Sequence, residues 1–135
     1  MTIDHNTGFQ TNQIITVDGT PSTNFVYQNN IAPHNMYGVK GSGYASGTPS
    51  LNYYFPGFVF QKNVIENTAA SGVTQSSYPP GNFFMRDWAA VQFVNFANGN
   101  YALAPGSPYK NAGTDGKDIG ADVDAVLAAT KGVAP

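Results

Sequence analysis

The chain has 135 residues, a formal net charge of −2 and no cysteine. The near-neutral charge excludes a nucleic-acid-binding protein, which needs a basic face to neutralise phosphates, and the lack of cysteine excludes disulfide frameworks and thiolate metal sites. No apolar run approaches the roughly 18 residues of a membrane span, and no segment resembles a signal peptide. The 14 asparagines, 15 glycines and 9 prolines indicate short strands between tight turns.

A sequence pattern that occurs three times predicts the first strands. Residues 1–7, 25–31 and 58–64 each read apolar, any, apolar, polar, polar, asparagine, and then a β-branched residue. Because alternate side chains of a strand point to opposite faces, the first and third positions are expected in the core and the second and fourth outside. The starts lie 24 and 33 residues apart, and the Gly/Ser-rich segment 41–50 explains the longer interval as a surface loop.

The asparagine at the sixth position of each repeat predicts a structural row. Asn6, Asn30 and Asn63 are expected to take the left-handed conformation and to bond one another's side-chain amides. A period in the low twenties is typical of a parallel β-helix. The sequence therefore predicts an all-β fold, a short right-handed parallel β-helix (a solenoid), as one domain over residues 1–135. A small antiparallel sandwich is the alternative, since strands spaced by about 8–12 residues are its signature too.

The C-terminal part of the chain predicts two further elements. Val91–Phe96 alternates as a strand does, and Asn98-Gly99 is a tight-turn signal that leads into a second strand. Residues 122–131 predict a helix that caps the coils and loops of residues 1–121. Apolar residues 123, 126 and 127 share one face of this helix, Asp122 is placed to cap its start, and Gly132 follows its end.

Two stretches, residues 3–7 and 100–121, resemble the C-terminal part of secreted bacterial right-handed parallel β-helix proteins of the pectate-lyase-like superfamily. The resemblance implies the same fold, an extracellular or cell-surface location, and polysaccharide as a partner. That superfamily includes lyases, hydrolases, epimerases and adhesins, so a shared fold does not specify an activity. The catalytic residues of the family lyases are not carried over, because no matching motif is present.

The first repeat also predicts self-association. Met1 occupies a core position, and an uncapped end of a solenoid exposes apolar side chains and unpaired strand edges. Residues 1–3 are therefore expected to pack end to end against another copy, which gives a homo-oligomer through the open N-terminal end. The alternative is that the chain is one fragment of a longer protein.

The fourth and fifth positions of the repeats predict a polar surface that contacts carbohydrate hydroxyls. The alternative is an ordinary solvated face. In each repeat the two positions are occupied by a pair of polar side chains, which are Asp4 and His5, Gln28 and Asn29, and Gln61 and Lys62.

Three tyrosines outside the repeats, Tyr44, Tyr53 and Tyr54, are candidate stacking surfaces for sugar rings. Aromatic walls with a few polar groups are the general form of small-ligand sites. The alternative is that these rings fold beneath their own loops as a satellite cluster.

The sequence assigns no catalytic residues. Arg86 and Asp87 are interpreted as a surface salt bridge, and Asp115 and Asp118 are candidate ligands for Ca²⁺, the single cofactor considered, although the EF-hand spacing is absent. The preferred hypothesis is a non-catalytic, self-assembling module that binds polysaccharide or associates with a surface. The alternatives are a C-terminal fragment of, or an oligomer-dependent, polysaccharide lyase or glycoside hydrolase, and a purely structural assembly.

Overall fold

The computed structural model describes residues 1–67 and 74–132. In these ranges lie ten strands and two α-helices, in chain order β1 (Thr2–Asp4), β2 (Ile15–Val17), β3 (Val26–Gln28), β4 (Ile31–Pro33), β5 (Val39–Gly41), α1 (Thr48–Tyr54), β6 (Val59–Gln61), β7 (Val64–Glu66), β8 (Phe83–Met85), β9 (Phe93–Asn95), β10 (Asn100–Leu103) and α2 (Val123–Thr130). Short 3-10 turns lie at Gln75–Ser77, Trp88–Val91 and Phe96–Asn98.

Three small parallel sheets are ordered β1-β3-β6, β4-β7-β8 and β2-β5, and the first of them is formed by the strands of the three repeats. The third positions of the repeats lie opposite one another, Ile3 beside Tyr27 and Tyr27 beside Phe60. The rings of Tyr27 and Phe60 stack with centroids 5.1 Å apart. These side chains point inward, as the alternation of strand residues requires.

Two hydrophobic clusters form the core. The first includes Phe25, Tyr27, Leu51, Phe60 and Tyr78, and the second includes Ile31, Val64, Val91, Leu103 and Ile119. A further group of rings covers the antiparallel β9–β10 hairpin, and in it Phe9 contacts Trp88, Phe93, Phe96 and Tyr101. Trp88 and Phe93 of this group also pack against the second cluster.

The prediction of an all-β right-handed parallel β-helix is wrong. Within residues 1–67 and 74–132, the strands form four small separate sheets, one of them antiparallel, together with two α-helices and no closed solenoid. Part of the predicted loop at 41–50 is helical, because Pro49 lies in the first turn of α1 and Leu51 and Tyr54 are buried. The last helix does not cap the core either, since Val126 and Leu127 are 54% and 60% exposed.

A row of four asparagines connects successive strands. Asn6, Asn30 and Asn63 each donate their Nδ2 and backbone N–H groups to the Oδ1 of the next member, over 2.9–3.1 Å, and the last acceptor is Asn82. The sequence did not identify Asn82, which lies 19 residues beyond Asn63.

The left-handed residues precede this row rather than forming it. His5, Asn29 and Lys62 have φ of 50°, 55° and 55°, and Gly81 occupies the equivalent place before Asn82 with φ 85°. The expectation that the sixth position is left-handed is therefore wrong. The turn at the fifth position aims the following asparagine inward, toward its neighbours in the row.

A buried histidine joins two of the sheets. His34 Nε2 lies 2.9 Å from the Tyr78 hydroxyl, which also accepts a bond from the Val39 N–H at 2.9 Å. The other ring nitrogen, Nδ1, lies 2.8 Å from the Asn35 carbonyl and donates to it. These contacts suit a neutral ring, in which Nε2 accepts from the Tyr78 hydroxyl, and burial lowers the pKa of His34.

We expect Asn63→Ala to lower the free energy of unfolding by about 3 kcal/mol, because it leaves buried partners of the row without hydrogen bonds. Asn6→Ala, at the exposed end, is the matched control, with an expected loss of about 1 kcal/mol or less. Urea unfolding of both variants measures the difference. Equal losses would contradict a stabilising role for the buried part of the row.

We also expect stability to fall as the pH drops below about 6.5, the ordinary pKa of histidine. Since burial lowers the pKa of His34, the unfolded chain takes up a proton there before the folded protein does, which favours unfolding. Urea unfolding between pH 5 and 8 measures the slope. His34→Gln should flatten it and His5→Gln is the control; an unchanged slope in His34→Gln would refute the assignment.

Candidate functional site

A cleft of about 550 Å³ lies between His5, the chain around residues 110–121 and the start of α2. Ala102, Leu103 and Val123 supply apolar surface to it. Its charged or titratable side chains are His5, Lys110, Lys117, Asp118, Asp122 and Asp124. Convergent polar groups around a concave, partly apolar surface are the general form of a ligand site.

His5 lies between two carboxylates at the wall of the cleft. Its Nε2 atom is 3.3 Å from Asp115 Oδ1 and 3.7 Å from Asp4 Oδ1, and this nitrogen is buried without a hydrogen-bond partner among the described residues. The backbone N–H of Lys117 lowers the pKa of Asp115. Burial acts to raise the pKa of Asp4, but bonded amide side chains outweigh it and the pKa is lowered. Both carboxylates are therefore charged beside the ring at neutral pH.

Asn29 fastens the C-terminal segment to the repeats. Its Nδ2 donates to Asp4 Oδ1 and to Thr114 Oγ1, both at 2.8 Å, and its Oδ1 accepts from the Thr114 N–H at 2.9 Å. Asn29 is completely buried. Asn29, a predicted carbohydrate-binding residue, therefore uses its side chain to join two parts of the protein itself. In doing so it fixes one side of the cleft.

Gly120 allows the same segment to approach the repeats closely. Its φ is +92°, and a Cβ atom there would lie 2.5 Å from Thr7 Oγ1 and 2.7 Å from the Ile31 side chain. Its N–H donates to the Asn29 carbonyl at 2.8 Å, and the next N–H, of Ala121, donates to Thr7 Oγ1 at 3.0 Å. A larger residue would push the segment away from the repeats.

The candidate calcium ligands have other partners. Asp118 contacts Lys110 Nζ at 2.6 Å and accepts from the Asn111 N–H at 2.9 Å, while Asp115 contacts His5 and Lys117. Across residues 1–67 and 74–132, no group of three or more His, Cys, Asp or Glu side chains is placed to hold a metal ion. The calcium site stays a prediction without a third ligand in these ranges.

Three of the predicted polar residues form a hydrogen-bonded row on the outer face of the β1-β3-β6 sheet. Gln28 Nε2 donates to Asp4 Oδ2 at 3.0 Å, and Gln61 Nε2 donates to Gln28 Oε1 at 3.2 Å. All three side chains are partly exposed. Lys62, at the adjoining corner, places its ammonium 5.6 Å from the centre of the Phe83 ring.

Two of the three candidate tyrosines form a surface that we call the tyrosine platform, which consists of Tyr44 and Tyr53. Their rings stack with centroids 4.1 Å apart, and Tyr53 is 44% exposed. Tyr54 follows Tyr53 in α1, and the two rings pack edge to face with centroids 4.9 Å apart. It is 4% exposed and its hydroxyl donates to the Ser42 carbonyl, so it belongs to the core and not to a sugar-binding surface.

The predicted salt bridge between Arg86 and Asp87 does not form within the described ranges. The Asp87 carboxylate accepts instead from the Ala89 N–H at 2.8 Å and caps the 3-10 turn Trp88–Val91. Burial, and then the nearby charge of Asp87, raise the pKa of Glu66.

Comparison of the chain with protein-family models, with curated proteins and with solved structures found no match. The resemblance to the pectate-lyase-like superfamily therefore stays a prediction. Among the described residues, the α-helices are too short and too polar to cross a membrane.

We expect Asn29→Ala to release the segment that contains Thr114 and Lys117, because three hydrogen bonds of a buried amide are lost. Lys117 is already exposed, so trypsin should cleave after it faster than in the parent protein. Asn52→Ala, at an exposed site, is the matched control. Identical cleavage rates for the two variants would refute the fastening role of Asn29.

Proposed function

We propose that the protein binds polysaccharide without cleaving it, and that the tyrosine platform is the main contact surface. The observation that carries the proposal is the exposed ring of Tyr53, which Tyr44 holds by stacking on one side. An aromatic ring fixed in this way presents a flat apolar face to the C–H groups of a sugar, and it loses little conformational freedom on binding.

Polar groups around the platform supply hydrogen bonds for sugar hydroxyls. Asn52 is exposed and directly precedes Tyr53 in α1. Lys40 donates to the Tyr44 carbonyl, which places its ammonium next to the platform. An aromatic face with a few donors and acceptors at its border supports a neutral, hydroxyl-rich ligand more than a strongly charged one.

The row of Asp4, Gln28 and Gln61 is a second surface on which a polysaccharide can rest. The strands that carry these residues are about 4.8 Å apart, so the row presents evenly spaced amide and carboxylate groups. Their mutual hydrogen bonds hold the side chains in place before a ligand arrives. This order reduces the entropy cost of binding.

A second candidate function is cleavage of a polysaccharide in the cleft, as a lyase or glycoside hydrolase. The observation that favours it is the position of His5 Nε2, which has no hydrogen-bond partner among the described residues and lies beside the Asp4 and Asp115 carboxylates. A histidine ring placed beside carboxylates is a common arrangement of groups in general acid–base catalysis. The expected homo-oligomer through residues 1–3 and the extracellular or cell-surface location stay predictions.

Affinity electrophoresis through gels that contain neutral or uronate-containing polysaccharides first identifies a polysaccharide that retains the protein. We expect Tyr53→Ala to abolish this retention. Tyr37→Ala is the matched control, because Tyr37 and Tyr53 are almost equally exposed, at 43% and 44%. Its retention should equal that of the parent protein.

Retention that is the same in Tyr53→Ala as in the parent would refute the role of the platform. The same incubations are assayed for new reducing ends and for unsaturated uronates, which absorb in the near ultraviolet. If the parent protein releases either product and the His5→Ala variant does not, the second candidate function would be established instead.

A further inference from the structure

We propose that the free edge of β1 binds an extended strand of another polypeptide chain, parallel to β1, and selects it by an asparagine that bonds to Asn6. The proposal is independent of the polysaccharide function. It rests on the hydrogen bonds of the asparagine row, which follow one rule throughout the described part of the chain.

The first part of the rule concerns the acceptors. The Oδ1 atoms of Asn30, Asn63 and Asn82 each accept two bonds, from the backbone N–H and from the Nδ2 of the preceding asparagine, over 2.9–3.1 Å. Each of these asparagines thereby fixes both the backbone and the side chain of the preceding asparagine in the row.

The second part concerns the donors. Each Nδ2 also donates to a carbonyl in the preceding strand, and that carbonyl always belongs to the third residue of the repeat. Asn30 donates to Ile3, Asn63 to Tyr27 and Asn82 to Phe60, over 2.9–3.0 Å. A strand that continues the row must therefore present a carbonyl at its third position and an asparagine at its sixth.

Asn6 lacks the bonds that the other members make to a preceding strand. No preceding asparagine donates to its Oδ1 in the described ranges, and its Nδ2 has no third-position carbonyl of a preceding strand to bond to. Its Nδ2 reaches only Asp4 of its own strand and Asn30, and its Oδ1 accepts no hydrogen bond from residues 1–67 and 74–132. Asn6 is exposed, whereas Asn30 and Asn63 are buried. In the described ranges β1 pairs with β3 alone, so its other edge is also open.

These open groups fit a strand with the pattern of the repeats: apolar, any, apolar, polar, polar, asparagine. Addition of a strand to an exposed edge is an established mode of peptide binding, in which backbone bonds give affinity and side chains give specificity. The third residue covers the partly buried Ile3, and its carbonyl accepts from Asn6 Nδ2. The asparagine at position six donates to Asn6 Oδ1.

A second folded copy does not meet these requirements. A symmetric pair of β1 strands would run antiparallel and would separate the two Asn6 side chains instead of stacking them. The other asparagines of the row in a second copy, Asn30, Asn63 and Asn82, are buried. A strand-forming segment with the pattern of the repeats, on a chain other than a folded copy of this one, meets them.

A labelled peptide with the sequence of residues 25–31, extended by N-terminal lysines for solubility, is the probe, and fluorescence anisotropy measures its binding to the full chain. Replacement of the peptide's sixth residue, asparagine, by alanine should weaken binding roughly tenfold. Asn6→Ala in the protein should weaken binding as well and remove the difference between the two peptides, because the interacting pair is then absent.

Disulfide formation tests the direction of the strand, since the chain has no cysteine of its own. In a Thr2→Cys protein, a parallel peptide cross-links through a cysteine at its second position, as Thr2 and Val26 pair in the sheet. An antiparallel peptide cross-links through its fourth position.

Absence of peptide binding, equal binding of the asparagine and alanine peptides, or cross-linking through the fourth position would each overturn the proposal. A dimer that the peptide does not dissociate in sedimentation velocity would also overturn it, since a second copy would then occupy the edge. Cooperative urea unfolding of the Thr2→Cys and Asn6→Ala proteins, with no more than the small loss already expected for Asn6→Ala, shows that the edge itself is intact.

Discussion

The stacking of asparagine side chains is the constraint on which the rest of the structure depends. Buried amides cost free energy unless every donor and acceptor has a partner, and Asn30, Asn63 and Asn82 are almost completely buried. They are satisfied in one register only. A shift by one residue would break their bonds and would turn the inward side chains outward. The row therefore fixes which aromatic residues stack in the core and which polar residues reach the surface.

The same constraint positions both candidate surfaces. Because the row turns the chain at the fifth position of each repeat, His5 and Asn29 lie at one corner, where the segment around Thr114 binds. The cleft exists because this segment is held there by a buried amide. The tyrosine platform has a different origin, since it depends on α1, whose Leu51 anchors the helix in the core while Tyr53 faces solvent.

The sequence predicts most reliably what the repeat encodes, and little of what the intervening segments add. Periodicity placed Ile3, Tyr27 and Phe60 on one face, and alternation with the Asn98-Gly99 turn located the β9–β10 hairpin. Neither pattern carried information on α1 or on the sheet boundaries, so the fold class was wrong. Asn82 was missed because Ser77 and Pro79 stand at the two apolar positions of the pattern, and Pro80 and Gly81 stand at the two polar positions. The burial of Asn29 was not foreseen because its partner, Thr114, lies 85 residues away, a contact that no local pattern reveals.

The row also has a direction, and this makes its two ends chemically different. At the Asn82 end, Nδ2 donates to the carbonyl of Pro79, three residues earlier, so a local turn replaces the next asparagine. At the Asn6 end the free group is an acceptor, which no N–H of the same turn fills in the described ranges. Each asparagine donates to the asparagine that follows it in the row, from Asn6 to Asn82. At the Asn6 end, only an added strand that brings N–H groups can therefore extend the row. A partner that binds at this end must therefore donate a hydrogen bond to Asn6 Oδ1. A partner that offers only apolar surface would leave this oxygen without a hydrogen bond.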